Sequence, residues 1–212
     1  AISRYQNTVV LFAPWNDPKP LHRAWCIWEL YCTVVNNCEL EIAMSHEQQL
    51  LFIHSIKNRG EEPLDQMLSN IDSAQSDCEK FEDRDRIHEL VQQQIGFEGL
   101  NALIFRKMRD WAIKVAKETL RKEESRDDNI SEQIKLRELI GTLYYHQGVY
   151  STAEEYMVQT LEQTIRIFGQ LDPFTCKVMN NLGLIYDKLG RYDEAENYFV
   201  SCYASRSETL GR

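Results

Sequence analysis

The chain has 212 residues, 43% of them hydrophobic, and a net charge of −9. This composition is enough for one or two packed domains, and the acidic balance argues against nucleic-acid binding, which usually shows a basic face. No apolar run reaches the about 18 residues of a transmembrane helix. The six cysteines lie in no metal-binding or redox spacing. We therefore expect no metal site, and reduced thiols in a cytoplasmic protein.

The first part of the chain predicts an α/β unit. Thr8 to Phe12 is a β-branched run that predicts a buried strand. His22 to Val35 predicts a helix that is apolar on almost every side, which is typical of a helix buried on more than one face. Glu39 to Met44 predicts a second strand. Strand and helix in alternation indicate a parallel sheet.

A further helix is expected after the second strand. Ser45 stands at its cap, and Gln48 stands at the capping-box position. Because two strands do not make an independently stable sheet, we expect further strands upstream of Ala1. This expectation makes the chain an internal piece of a longer protein.

The middle of the chain predicts a helical connector over residues 61–125. One helix is expected to begin at Asp83 or Asp85, and Gly96 to Gly99 is expected to form a turn before a long helix. Glu123 to Asn129 is charged and polar, which favours a linker. The connector shows no sustained heptads, so a coiled coil is not expected here.

The last part of the chain repeats itself with a period of 42 residues. The matching pairs are Gly141 and Gly183, Tyr144 and Tyr186, Gly148 and Gly190, Ala153 and Ala195, Tyr156 and Tyr198, and Gly169 and Gly211. A repeat of this length predicts a stack of helix pairs. The predicted pairs are 131–146 with 150–168, and 173–188 with 192–209. Asp172 and Pro173 mark the start of the third of these helices as N-cap and first helical residue.

The repeats resemble the tetratricopeptide repeat. The motif residues are Ile140-Gly141-x-x-Tyr144 with Ala153, and Leu182-Gly183-x-x-Tyr186 with Ala195. The resemblance implies that the glycines and alanines let paired helices approach closely, and that the tyrosines fill the gap between repeats. Gly148 and Gly190 would supply left-handed turns. The 42-residue period is longer than the usual 34 and resembles that of kinesin light chains.

The resemblance also implies a ligand-binding face. In this family, peptides lie along the concave face of the first helix of each repeat, where an asparagine near the motif glycine contacts the peptide backbone. The residues placed there in the second repeat are Asn180, Asn181, Lys177, Leu184 and Lys188. Those of the first repeat are Lys135, Glu138, Leu139, Thr142 and Tyr145. Since two repeats are fewer than the three usually needed for stability, we expect more repeats after Arg212.

A second resemblance lies near the start of the chain. The strand ending at Phe12 and the segment Trp25-Cys26-x-x-Glu29-Leu30 resemble the later part of a TIR domain. In TIR enzymes that cleave NAD, the glutamate of this helix is catalytic, which places that role on Glu29. A buried carboxylate in an apolar helix is costly, which also makes Glu29 a candidate site residue. The alternative interpretation is a structural carboxylate that pairs locally, for instance with Arg23.

Together these patterns predict a mixed fold in three parts. Residues 1–60 form a partial TIR-like α/β unit, residues 61–125 a helical connector, and residues 126–212 two repeats of an α-solenoid (about 130–171 and 172–212). The expected function is a protein–protein interaction scaffold that binds a protein or peptide in the repeat groove and self-associates or docks through the TIR-like unit. One alternative is an NAD-cleaving signalling enzyme with NAD as its only cofactor. The other is a structural subunit of a large cytoskeletal, ciliary or organellar assembly.

Overall fold

The computed structural model describes residues 7–36, 38–59, 62–125 and 129–210. The chain divides into two compact units between Ala112 and Ile113. The elements before this point are β1 (Asn7–Leu11), α1 (Ala24–Val35), β2 (Glu39–Ala43), α2 (His46–Arg59), α3 (Glu62–Ser69) and α4 (Phe81–Gln94). The division falls within α5 (Gly96–Glu124), and α6 (Ile130–His146), α7 (Tyr150–Phe168), α8 (Pro173–Lys188) and α9 (Tyr192–Leu210) follow.

The first unit contains a small parallel sheet, as the sequence predicts. β1 pairs with β2 in parallel, with Val9 opposite Glu41. Phe12, just after β1, is buried, whereas Val9 and Leu11 are exposed on the other face of the strand. The expectation of a fully buried first strand is therefore wrong. In the described part of the unit, α1 and the first half of α5 contribute apolar residues against one face of the sheet only.

Helix α1 begins later than predicted and packs against both the sheet and α4. A short 3-10 helix (Lys19–His22) and the extended Arg23 precede it. Its buried residues are Ala24, Ile27, Leu30, Tyr31 and Thr33. Thr33 contacts Thr8 of the sheet and Tyr31 contacts Gln94 of α4, so burial on more than one face is confirmed, although Trp25 and Val35 are exposed.

The start of α2 shows half of the predicted capping box. The Gln48 backbone N–H donates to Ser45 Oγ at 3.3 Å. The Gln48 side chain does not complete the box, because its Oε1 accepts from the Trp15 backbone N–H at 2.9 Å. Gln48 thus ties the loop after β1 to the helix after β2.

The connector helices differ from the prediction at their ends. Helix α4 begins at Phe81, earlier than the expected Asp83 or Asp85, and its N-cap Lys80 makes no side-chain capping bond. The turn predicted over Gly96 to Gly99 is shorter, because Gly96 alone adopts a left-handed conformation (φ 71°) and α5 starts there. α5 also continues into the predicted linker, as far as Glu124. Residues 126–128 of that linker lie outside the described residues.

The second unit agrees with the predicted helix pairs to within one residue at each end. The Asp172 side chain accepts from the N–H groups of Phe174 and Thr175, as expected of an N-cap. Gly148 and Gly190 have φ of 77° and 74°, which confirms the predicted left-handed turns after α6 and α8. Gly211, the partner of Gly169 in the repeat, lies outside the described residues.

The motif glycines bring the helices of each pair close together, as the resemblance implies. A β-carbon at Gly141 would lie 3.0 Å from Met157 Cε, and one at Gly183 would lie 2.6 Å from Phe199 Cε1. Ala153 and Ala195 are buried on the facing helices. The small residues of the motif therefore set the separation of α6 from α7 and of α8 from α9.

The six cysteines, all described, are free thiols in the structure. Cys176 and Cys202 are buried in the second unit, where the Cys202 thiol contacts the carbonyl oxygen of Cys176 at 3.3 Å. The other four (Cys26, Cys32, Cys38 and Cys78) are half-buried in the first unit. No helix in the described ranges is long and apolar enough to cross a membrane.

Candidate functional site

One side of α8 carries the residues that the sequence places on a ligand-binding face. Lys177, Asn181, Leu184 and Lys188 are spaced by four, three and four residues, so they lie on one side of the helix. Lys177, Leu184 and Lys188 are exposed, and Asn181 is half-buried. Asn180, its neighbour in sequence, is also half-buried. The second repeat therefore presents a mixed basic and apolar stripe to solvent.

Helix α6 contributes fewer accessible residues than the sequence predicts. Lys135, Thr142 and Tyr145 are partly exposed. Glu138 and Leu139 are buried, with exposures of 4% and 2%, so the expectation that they face a ligand directly is wrong. Leu139 has the burial of a core residue, and Glu138 is covered by polar side chains that α8 and α6 supply.

The buried carboxylate of Glu138 links the first helices of the two repeats. Its Oε1 accepts from Lys177 Nζ at 2.9 Å, from Asn181 Nδ2 at 3.1 Å and from Thr142 Oγ1 at 3.3 Å. A buried charge is tolerated only when it is paired and hydrogen-bonded, and these three donors supply both conditions. The contact joins residues 43 positions apart in the chain, between Glu138 and Asn181. Sequence reasoning placed these residues on one face but missed the bonds among them.

The motif tyrosines stack within their own repeats. Tyr144 stacks on Tyr156 with ring centroids 6.0 Å apart, and Tyr186 stacks on Tyr198 at 5.5 Å. Tyr186 also reaches the preceding repeat, where it hydrogen-bonds Glu154. Burial and, next, this bond raise the pKa of the Tyr186 hydroxyl well above its ordinary value. The expectation that the tyrosines fill the gap between repeats thus describes only part of their packing.

Tyr145 lies at the end of α6, among other rings. Its centroid is 5.3 Å from that of His146 and 5.7 Å from that of Tyr150 at the start of α7. These contacts hold the half-buried ring at the turn between the two helices.

Glu29 occupies a different environment from the one expected. The side chain is exposed on α1. An open cleft of about 520 Å³ lies beside the start of α1, with Arg23, Trp25 and Lys80 among its lining residues, and Glu29 is not among them. The expectation of a buried carboxylate is wrong, while a catalytic role for Glu29 stays a prediction. Among the described side chains, no group of three or more His, Cys, Asp or Glu could hold a metal ion.

The fold of the second unit defines a class of protein domain, the stack of antiparallel helix pairs. Within it, residues 132–208 match the family model of the tetratricopeptide repeat. The match begins in α6 and ends in α9. It therefore spans the four helices that carry the 42-residue repeat. No curated protein and no solved structure matches the chain. Tetratricopeptide repeats generally mediate protein–protein interaction, and such stacks present extended binding surfaces.

Proposed function

We propose that the chain is a protein-interaction scaffold that binds an extended protein segment along the face shared by α6 and α8. The observation that supports this function is the stripe on α8, in which the exposed Leu184 stands between Lys177 and Lys188. On α6, Lys135, Thr142 and Tyr145 are partly exposed beside it. The helix pairs of the repeat family are the type of domain that uses such a face.

The residue types on this face suit peptide recognition. Leu184 is 38% exposed, and covering it would remove apolar surface from water, which stabilises a complex by about 25 cal/mol per Å². The half-buried Asn180 and Asn181 offer amide groups that can donate to and accept from a peptide backbone. The lysines add electrostatic attraction for acidic side chains, although their nearby carboxylates reduce it.

A matched pair of substitutions tests the proposal. Leu184→Glu on the proposed face and Val200→Glu on α9 each place a carboxylate at an exposed apolar position. The probe is a peptide selected on the wild-type chain from a displayed random library. We expect Leu184→Glu to weaken its binding by at least about tenfold, or about 1.4 kcal/mol, and Val200→Glu to leave it unchanged.

Circular dichroism of both variants controls for folding. Equal binding by the two folded variants would remove the α6/α8 face from the function. The double variant Asn180→Ala, Asn181→Ala is a less clean probe, because Asn181 also bonds the buried Glu138.

Two finer assignments, the kind of repeat and the TIR-like nature of the first part of the chain, rest on the sequence. The 42-residue period supports repeats of the longer, kinesin-light-chain-like kind. The parallel strands around α1 agree with a TIR-like unit, for which we propose self-association or a second docking face. The exposed Val9 and Leu11 on the outer side of β1 favour this role. Analytical ultracentrifugation of the wild type and of Val9→Lys tests it, and a wild-type chain that remains monomeric at high concentration would refute self-association.

A further inference from the structure

At one position of the proposed binding face, a buried leucine of the first repeat is replaced by an asparagine in the second. Leu139 in α6 is 2% exposed and belongs to the core. The residue 42 positions later, in the same place on α8, is Asn181. An amide in place of a core leucine is costly unless its polar groups are bonded. Among the described residues, this amide donates to Glu138, which lies on the neighbouring repeat.

The bond to Glu138 restricts how Asn181 can present its amide. An ionised carboxylate accepts hydrogen bonds and cannot donate them, so the nitrogen of the Asn181 side chain must face Glu138. The distance from Nδ2 to Glu138 Oε1 is 3.1 Å. Because the nitrogen and the carbonyl oxygen Oδ1 of a planar amide point in different directions, Oδ1 of Asn181 is not directed at this carboxylate oxygen. The same carboxylate oxygen holds Lys177 Nζ at 2.9 Å, which fixes a second residue of the face.

We propose that Glu138 is a positioning residue that makes Asn181 present its carbonyl oxygen to the bound segment. At this point the face would then select an N–H donor, such as a backbone amide of an extended peptide, and would disfavour a carbonyl or carboxylate. This inference rests on the proposed function, since it names the group that the ligand brings to the α6/α8 face. The three donors on Glu138 Oε1 restrict its side chain, which suits a residue that fixes the orientation of its neighbours.

The first test needs no ligand. In the full chain with ¹⁵N-labelled asparagine, NMR compares the side-chain amide of Asn181 in the wild type and in Glu138→Gln. We expect the wild-type Asn181 to show one downfield, exchange-protected amide proton, because its bond is to a charged group. We expect this signature to disappear in Glu138→Gln, whose own amide can bond Asn181 in either orientation. An unchanged Asn181 signature in the variant overturns the positioning role.

Two control observations make the first test specific. Asn180 is adjacent in sequence and half-buried, and its side-chain resonances should change little in Glu138→Gln. Lys177→Met removes another partner of Glu138 and should leave the Asn181 signature in place. If Glu138→Gln does not fold, Glu138→Asp, whose shorter side chain draws the carboxylate away, gives the same readout. Loss of the signature in Lys177→Met as well would overturn a specific role for the Glu138–Asn181 bond.

The second test uses the library-selected peptide, with each backbone N–H replaced in turn by N-methyl. We expect one replacement to weaken wild-type binding by about tenfold, as expected for loss of one well-placed hydrogen bond. This penalty should be absent in Asn181→Ala and should fall to about threefold or less in Glu138→Gln. A full penalty in Glu138→Gln overturns the proposal.

The two tests distinguish failure of the proposed function from failure of the positioning role of Glu138. Should Leu184→Glu leave peptide binding intact, the α6/α8 face is not the binding site and the proposed function fails. In that case the NMR signature still shows whether Glu138 positions Asn181. Should the signature be present while no position of the peptide depends on Asn181, Glu138 has a structural role only.

Discussion

Gly183 lies directly against the ring of Phe199, so closely that a β-carbon at Gly183 would be 2.6 Å from Cε1 of the ring. At the equivalent Gly141 the nearest atoms belong to Met157, with Cε at 3.0 Å. The same motif glycine thus faces a planar ring in one repeat and an unbranched, adaptable side chain in the other.

This difference predicts unequal costs for the same substitution. Alanine gains about 1 kcal/mol of helix propensity over glycine at either position. At Gly183 the clash with the ring should outweigh this gain, and we expect Gly183→Ala to lower the free energy of unfolding by about 1–2 kcal/mol. Gly141→Ala should be close to neutral, because Met157 can move by a few tenths of an ångström. Urea unfolding of both variants measures the difference, and equal costs would contradict it.

Equivalent positions on α7 and α9 differ in burial, which predicts a second pair of unequal substitutions. Leu161 on α7 is 9% exposed and belongs to the core formed with α8, whereas Tyr203, 42 residues later, is 75% exposed. We expect Leu161→Ala to cost about 2–4 kcal/mol and Tyr203→Ala less than about 0.5 kcal/mol. Thermal or chemical unfolding of the full chain tests both values. A large cost for Tyr203→Ala would mean that α9 has a partner surface in solution.

The raised pKa of Tyr186 predicts a loss of stability at alkaline pH. Its hydroxyl is buried and bonded to Glu154, so the folded chain holds the proton more tightly than the unfolded chain, whose tyrosines ionise near pH 10. Stability from this group is complete below that pH and falls as the pH rises above it. We expect the melting temperature of the wild type to decline more steeply above pH 10 than that of Tyr186→Phe. Parallel curves for the two proteins would refute the effect.

The environment of Glu29 predicts a small effect on stability. Since the side chain is exposed on α1, Glu29→Ala should change the free energy of unfolding by less than about 0.5 kcal/mol. The variant is therefore a clean control for incubation of the wild type with NAD. Under the scaffold proposal we expect no nicotinamide release from either protein. Release by the wild type that disappears in Glu29→Ala would instead establish the NAD-cleaving alternative.

The sequence was most informative where local signals agree. In the second unit, the glycine turns after α6 and α8 and the Asp172 cap fix helix ends within a few residues, so the predicted bounds are accurate. In the connector, α4 begins without a side-chain cap at Lys80, and no local signal marks its start. Burial was harder to predict, because the exposure of Trp25 depends on which elements pack against α1.

The contact of the buried Glu138 with Asn181 was the least predictable feature of the binding face. Glu138 resembles an ordinary surface glutamate in a helix of mixed composition, and its burial follows from contacts with α8, a helix that begins 27 residues after α6 ends. One signal available was the change from Leu139 to Asn181 at equivalent positions of the two repeats. A polar residue at a repeat position that is apolar elsewhere indicates a buried partner, and the identity of that partner requires the three-dimensional structure.

The cysteines of the two units differ in burial, so their alkylation can be used to follow local opening of the fold. The half-buried thiols all lie before Ala112, and the two buried thiols lie in the helix pair α8 and α9. Desolvation raises the pKa of Cys26 and Cys32, which slows their reaction with thiol reagents, since the thiolate is the reactive form. Modification of Cys176 and Cys202 requires the second unit to open. Mass spectrometry of a time course of alkylation would therefore record the opening of the second unit as the modification of Cys176 and Cys202, without any engineered label.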